Sequence, residues 1–175
     1  MSTIFAGGSR SVTRLSSEAL QRMTNIITNK HRVIVGDADG ADAAIQRHLL
    51  AADYRNVEDF CSGPRFRNNL GNWRTLHIRP PRAAAGFQFY AAKDRAMAEA
   101  ADFGLMIWDG KSPGTILNIL RLLRAGKAAV LIGSADAPRS FKSPHHWESF
   151  LASCRPQLAH AIKQRATPDE WHPNI

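Results

Sequence analysis

At 175 residues, with 44% hydrophobic and 22% charged side chains, the chain has the size and composition of one globular domain, which excludes a disordered or fibrous protein. Lys and Arg number 23 against 15 Asp and Glu, a formal charge of +8 that suits anionic partners without choosing between a small phosphate ligand and a nucleic acid. The two cysteines, Cys61 and Cys154, lack metal-ligand spacing, and neither a leader peptide nor a membrane-length apolar run is visible, so a soluble, reduced, cytoplasmic protein without metal is expected.

Short apolar runs alternate with amphipathic stretches, the pattern of βαβ units and a mostly parallel sheet. Ile4, Phe5 and Ala6 pass at once into Gly7, Gly8, Ser9 and Arg10. Ser16 then reads as an N-cap, with Leu20, Met23 and Ile27 on one helix face and Leu15 and Leu20 spaced for a hydrophobic staple. The run Val33, Ile34, Val35 ends in a second glycine loop at 36–40, and Ala41, Ala44, Ile45 and Leu49 carry the next helix face. A short strand is expected near 57–60.

Residues 61–86 interrupt the rhythm with three prolines, three glycines and Arg65, Arg67, Arg74, Arg79 and Arg82. So long a connection inside a domain is functional or disordered. A helix over about 87–101 follows, then a strand at 103–108 that ends in a loop at 109–115. Ile116, Ile119, Leu120 and Leu123 pack the next helix, which stops near Gly126, and 129–132 is the last of about five strands. Ser143 and Pro144 open a helix with Trp147, Phe150, Leu151 and Cys154 on one side, kinked or ended by Pro156. Residues 167–175 read as a loose tail. The expected architecture is a Rossmann-like α/β three-layer domain over 1–135, with an irregular basic insertion at about 61–86, and a C-terminal helical extension over 136–175.

Ligands of doubly wound sheets bind where the strand order reverses. If the five strands run 3-2-1-4-5, the first and fourth are neighbours, and the loop of Gly8, Ser9 and Arg10 faces the loop of Asp109, Gly110, Lys111, Ser112, Gly114 and Thr115. Gly8 lets backbone approach a ligand, Ser9 offers a hydroxyl and Arg10 a forked cation; the plainer reading is a tight turn with a solvated arginine. Gly114 and Thr115 open a helix whose free N–H groups suit an anion, though Thr115 alone serves equally as a cap. Lys111 is either a phosphate contact or a solvated lysine. Asp37, Asp39 and Asp42 repel phosphate and fit ribose hydroxyls, an amine, or the holding of an arginine. A metal site there has no further support, and Asp42 also suits a helix dipole. His145 and His146 read as a surface pair.

In order along the chain, Gly8-Ser9-Arg10, Gly36-x-x-x-Gly40-Ala41-Asp42, Lys93-Asp94-Arg95-x-Met97 with Ala101-Asp102, Trp108-Asp109-Gly110-x-Ser112-x-Gly114-Thr115 and Ala125-Gly126-Lys127 resemble the SLOG superfamily, in particular small members related to YspA and YpsA. The resemblance spans roughly residues 3–133. It implies a Rossmann-like sheet and a nucleotide-derived ligand. By the same resemblance Gly110, Gly114 and Thr115 fall on the phosphate-binding motif, and Lys93 or Arg95 falls near a basic residue of the Lonely Guy phosphoribohydrolase pattern. That pattern has a glutamate where this chain has Asn118. An amide serves neither as a carboxylate base nor as an anion facing an oxocarbenium ion; Asp109 and Glu99 are the carboxylates considered in its place.

Three functions compete. The first is a sensor or binding protein for a nucleotide-derived ligand, with no cofactor and a dimer as the default assembly. The second is an N-glycosidic hydrolase. The third is nucleic-acid binding in the style of DprA, through Arg65, Arg67 and Arg74 interleaved with Phe66 and Trp73. Those same side chains also suit a lid over the ligand, or a solvated loop whose aromatics enter the core.

Overall fold

The computed structural model describes residues 1–133 and 137–171. In chain order the elements are β1 (Thr3–Gly8), α1 (Ser17–Thr28), β2 (Arg32–Gly36), α2 (Ala41–Ala51), β3 (Val57–Ser62), β4 (Arg74–Ile78), α3 (Gly86–Ala100), β5 (Phe103–Ile107), α4 (Pro113–Arg124), β6 (Ala128–Ile132), β7 (Arg139–Phe141), α5 (Pro144–Ser153) and α6 (Pro156–Arg165). The strands form one sheet in the order β4-β3-β2-β1-β5-β6-β7, parallel throughout except for the antiparallel β7. The chain is a Rossmann-like α/β domain.

Alternation along each strand sends side chains to opposite faces, and two cores result. Ile4 and Ala6 of β1 join Val33, Val35 and Val57 under α1 and α2, where Met23, Ile45 and Leu49 are buried. Phe5, between them, faces the other way and joins Ile34, Phe60 and Met106 under α3 and α4. The four positions read as the face of α4, Ile116, Ile119, Leu120 and Leu123, are all buried there. Ser16 caps α1 by accepting from the Ala19 N–H at 3.3 Å. Leu20 departs from expectation: it is 38% exposed, and the helix packs instead through Ala19 and Met23. Ala19 and Met23, four apart, share the buried face, and Leu20 is turned about 100° from Ala19 by the helix period.

The basic segment 61–86 is not wholly irregular. Its middle is β4, an edge strand in parallel register with β3, with Glu58 opposite Arg74 and Ser62 opposite Ile78. Leu76 and Ile78 pack against the α3 core; the prolines and arginines around them hide this alternation. Among the described residues seven strands thus replace the expected five, β4 and β7 being the additions. Pro156 ends one helix and starts another rather than kinking it, as its lack of an N–H favours at a first helical position. Trp147, Phe150 and Ile162 of α5 and α6 bury into the same core as α4. The expected loose tail is docked as far as Trp171: Thr167 N–H donates to the Glu170 carboxylate at 2.8 Å, and Glu170 is buried. Residues 172–175 of that tail lie outside the described residues.

Candidate functional site

The strand order reverses between β1 and β5, where Gly8 stands opposite Ile107. From there the chain leaves β1 toward α1 on one face and leaves β5 toward α4 on the other, opening a crevice at the carboxyl ends of the strands. Ser9 is fixed across it. Its N–H donates to the Ile107 carbonyl at 2.9 Å, its Oγ accepts from the Asp109 N–H at 3.2 Å, and its Oγ lies 2.8 Å from Thr115 Oγ1, with either hydroxyl able to donate. The loop at 36–42 joins from the side, where the Ala41 N–H donates to the Ser9 carbonyl at 3.1 Å. Gly40 makes that approach possible: its φ is +80°, and a Cβ would sit 2.1 Å from the Arg10 carbonyl oxygen. Three loops from distant parts of the sequence therefore share one edge.

A cleft of about 430 Å³ lies there. Gly8, Ser9 and Arg10 form one wall and Ser112, Gly114 and Thr115 the opposite one, at the α4 N-terminus. Pro113 at the start of α4 has no N–H, so the Gly114 and Thr115 amides are the free donors of the first turn. Phe87 and Tyr90 of α3 complete the mouth. Over each stands an arginine from another segment: Arg67 lies 4.5 Å from the Tyr90 ring centre and Arg165 lies 5.0 Å from that of Phe87. Arg67 is aimed by Asp37, which accepts from its Nη2 at 2.6 Å, its Nε at 3.2 Å and its backbone N–H at 3.0 Å. Holding an arginine is thus what Asp37 does in this loop.

The floor carries a buried ionic cluster. Lys93 Nζ donates to Asp94 Oδ1 at 2.9 Å and to Asp42 Oδ2 at 3.4 Å, and all three residues line the cleft. Burial opposes the charge on Lys93, yet Asp94 and Asp42 outweigh it and hold the ammonium well above its ordinary range. Burial raises Asp42, with Lys93 only partly restoring it. Asp94 is held below the usual carboxylate range: Lys93 and Arg121 overcome the effect of burial. Gly36 makes room for this cluster, since a Cβ there would stand 2.3 Å from both Lys93 Nζ and Asp42 Oδ2.

Of the expected ligand-binding residues, Gly8, Ser9, Arg10, Asp42, Lys93, Ser112, Gly114 and Thr115 line the cleft, and Gly36 and Gly40 shape its walls. The others are elsewhere. Arg95 turns away from the cleft, donating to Glu170 at 2.7 Å and to Gln88 at 2.6 Å. Asp39 is exposed and accepts from Asn68 at 2.9 Å. Asp109 is consumed as a loop staple, accepting from the Ser11 hydroxyl at 2.6 Å and from the Ser112 N–H at 2.7 Å. Despite partial burial those bonds hold its carboxyl far below the usual range. Gly110 and Lys111 border a separate cavity of about 790 Å³ beneath α5 and α6. Glu99 is exposed on the last turn of α3, away from the cleft lining.

The basic segment splits likewise. Arg67 enters the cleft, whereas Arg65 is exposed and outside its lining. Arg74 pairs with Glu58 at 3.4 Å. Trp73 is buried under α2 and donates its Nε1–H to the Tyr54 carbonyl at 3.1 Å, so its ring is unavailable for stacking. Sequence reasoning missed Phe87, Tyr90 and Arg165 as cleft residues. The two aromatics sit three apart at the start of a helix, a spacing that carries them to one face, but Arg165 had no local signal at all. Among the described residues no three His, Cys, Asp or Glu side chains are grouped to hold a metal ion, and no helix is long and apolar enough to cross a membrane. No family model, curated protein or solved structure matches the chain.

Proposed function

We propose that the chain binds a nucleotide or nucleotide-derived small molecule in this cleft, as a sensor or binding protein. The observation that carries the proposal is the meeting of Ser9 and Thr115 hydroxyls at 2.8 Å beside the α4 N-terminus. Backbone donors, a helix dipole and two hydroxyls converge there on one spot, the recurring physics of a phosphate site. Arg10 and Arg165 at the mouth supply forked cations; among the described residues Arg10 enters no ion pair, whereas the fork of Arg67 is taken by Asp37. Tyr90, 46% exposed, offers a face to a base. The order of motifs resembling the SLOG superfamily points the same way. Calorimetric titration with ADP, ADP-ribose, cyclic nucleotides and inorganic pyrophosphate tests the reading. Saturable binding of at least one is expected, weakened by Ser9→Ala and by Arg10→Ala. Flat titrations at millimolar concentration would remove it.

One observation favours N-glycosidic hydrolysis as a second reading. Asp42 is a cleft carboxyl with a raised pKa, the property a general acid needs, whereas Asp109 and Glu99 stand outside the cleft. Incubation with nucleoside monophosphates and chromatography for free base decides it. Nucleic-acid binding keeps Arg65, Arg67 and the exposed Phe66 of its five side chains, because Trp73 is buried and Arg74 is paired.

A further inference from the structure

We infer that Asn118 is a specificity-determining hydrogen-bond donor of the cleft, aimed from behind by Arg121 and Glu170, and that the bound ligand sets an acceptor atom against it. The inference rests on the reading that the cleft binds a phosphate-bearing ligand, and adds which chemical group the ligand must present.

Asn118 follows Thr115 by three positions on α4, so the two side chains share a face, and both line the cleft. Helix side chains tilt toward the N-terminus, which turns the amide toward the anion-binding first turn. Its orientation is fixed by its neighbours. Arg121 Nη1 donates to Asn118 Oδ1 at 2.7 Å in a buried contact. Guanidinium has no acceptor, so the atom facing it is the oxygen. The opposite side of the amide is turned toward Asp94, whose carboxylate only accepts and which Asn118 helps hold ionised. Both neighbours therefore demand the same orientation. The N–H₂ group carries two hydrogens; with one turned to Asp94, the other is the donor assigned to the cleft that Asn118 lines.

Arg121 is itself held. It is 6% exposed, its Nε donates to Glu170 Oε1 at 2.7 Å, and it stands 3.9 Å from Asp94. Glu170 also takes the Arg95 guanidinium at 2.7 Å. The docked segment at 167–171 thus reaches the cleft through two residues, Arg121 and then Asn118. A carboxylate at position 118 would face the ligand with an acceptor and a charge; the amide faces it with a donor. The wall at 118 accordingly selects an acceptor, either a phosphoryl oxygen or a nucleoside oxygen or nitrogen.

Titration of the full chain and its variants with inorganic pyrophosphate and with ADP tests this. Asn118→Asp keeps size and the bond to Arg121 but turns the donor into an acceptor, and it weakens binding about tenfold or more, the scale of losing one hydrogen bond to a charged group. Weakening of both probes puts the acceptor on the phosphate, and weakening of ADP alone puts it on the nucleoside. Asn118→Leu, which adds no charge beside Asp94, gives the same direction if the aspartate variant does not fold. Glu170→Gln, remote from the cleft, weakens the same probe about twofold to threefold as Arg121 loses its anionic anchor. Glu58→Gln breaks a pairing with Arg32 and Arg74 on the far strands; it changes stability and leaves affinity alone. Wild-type binding left intact by both Asn118 variants overturns this inference and spares the binding function. Wild-type failure with every probe overturns both.

Discussion

Two ionic clusters meet at α3 and α4, one drawing in Asp42 of α2 and the other Glu170 of the 167–171 segment, and they are built with opposite imbalance. The cleft-facing one sets a single cation, Lys93, against Asp42 and Asp94; the outer one sets Arg95 and Arg121 against the single carboxylate of Glu170. Joined through the 3.9 Å approach of Arg121 to Asp94, three cations meet three carboxylates. Each half is thereby stabilised by its surplus neighbour, which neither would find alone at such burial. The two differ in what they border. The outer cluster is braced by the 167–171 segment and borders a separate cavity of about 320 Å³, whereas the inner one borders the cleft. One network thus ties the docked segment to the floor of the cleft.

The largest test of this division removes the single inner cation. Lys93→Met leaves Asp42 and Asp94 facing each other in a buried site and costs about 3–5 kcal/mol of stability, read from urea denaturation. A loss below about 1 kcal/mol would show that the inner cluster is not held by that lysine.

Acid unfolding probes the outer half. The two arginines hold the Glu170 carboxyl at about 2 despite its burial, against 4.5 for a free glutamate. A depressed folded value means stability present above pH 4.5 and lost as pH falls from there toward 2. Glu170→Gln lowers stability near neutrality by roughly 2–3 kcal/mol and flattens that acid slope. An unchanged slope in the variant breaks the assignment.

One buried carboxyl beside the inner half has the opposite pH sign, and the effect is smaller. Asp59, beneath it on β3, is pushed up to about 7 by burial and by Asp37, Lys93 lowering it only in part. Its Oδ1 accepts from Gln46 at 3.1 Å, and its Oδ2 has no partner among the described residues. The unfolded carboxyl releases its proton near 3.8 and the folded one near 7. Stability from this group is therefore lost as pH rises across that interval. Asp59→Asn gains about 1–2 kcal/mol relative to wild type on going from pH 5 to pH 8. Equal pH profiles for the two proteins would refute the acid surplus.

What could be read in the sequence depended on whether a signal was local. Strand runs such as Val33, Ile34, Val35 and the helix face of Ile116, Ile119, Leu120 and Leu123 announce themselves within one window, because burial repeats with the period of the element. β4 did not: its edge position leaves Arg74 and His77 exposed, so alternation survives only in Leu76 and Ile78. Arg95 and Lys93 looked equivalent two positions apart. A helix turns those positions to different sides, one to the cleft and the other to Glu170.

By itself the sequence determined the parallel order of strand, loop and helix and the three loops at 7–10, 36–42 and 109–115, since hydrophobic period, glycines and caps are properties of neighbouring residues. The tertiary structure alone decided which charges belong together. Asp37 with Arg67, Asp42 with Lys93 and Glu170 with Arg121 are separated by 30, 51 and 49 positions, and only chain folding brings them close. An ion pair is set by distance and burial in space, and separation along the chain carries no record of either.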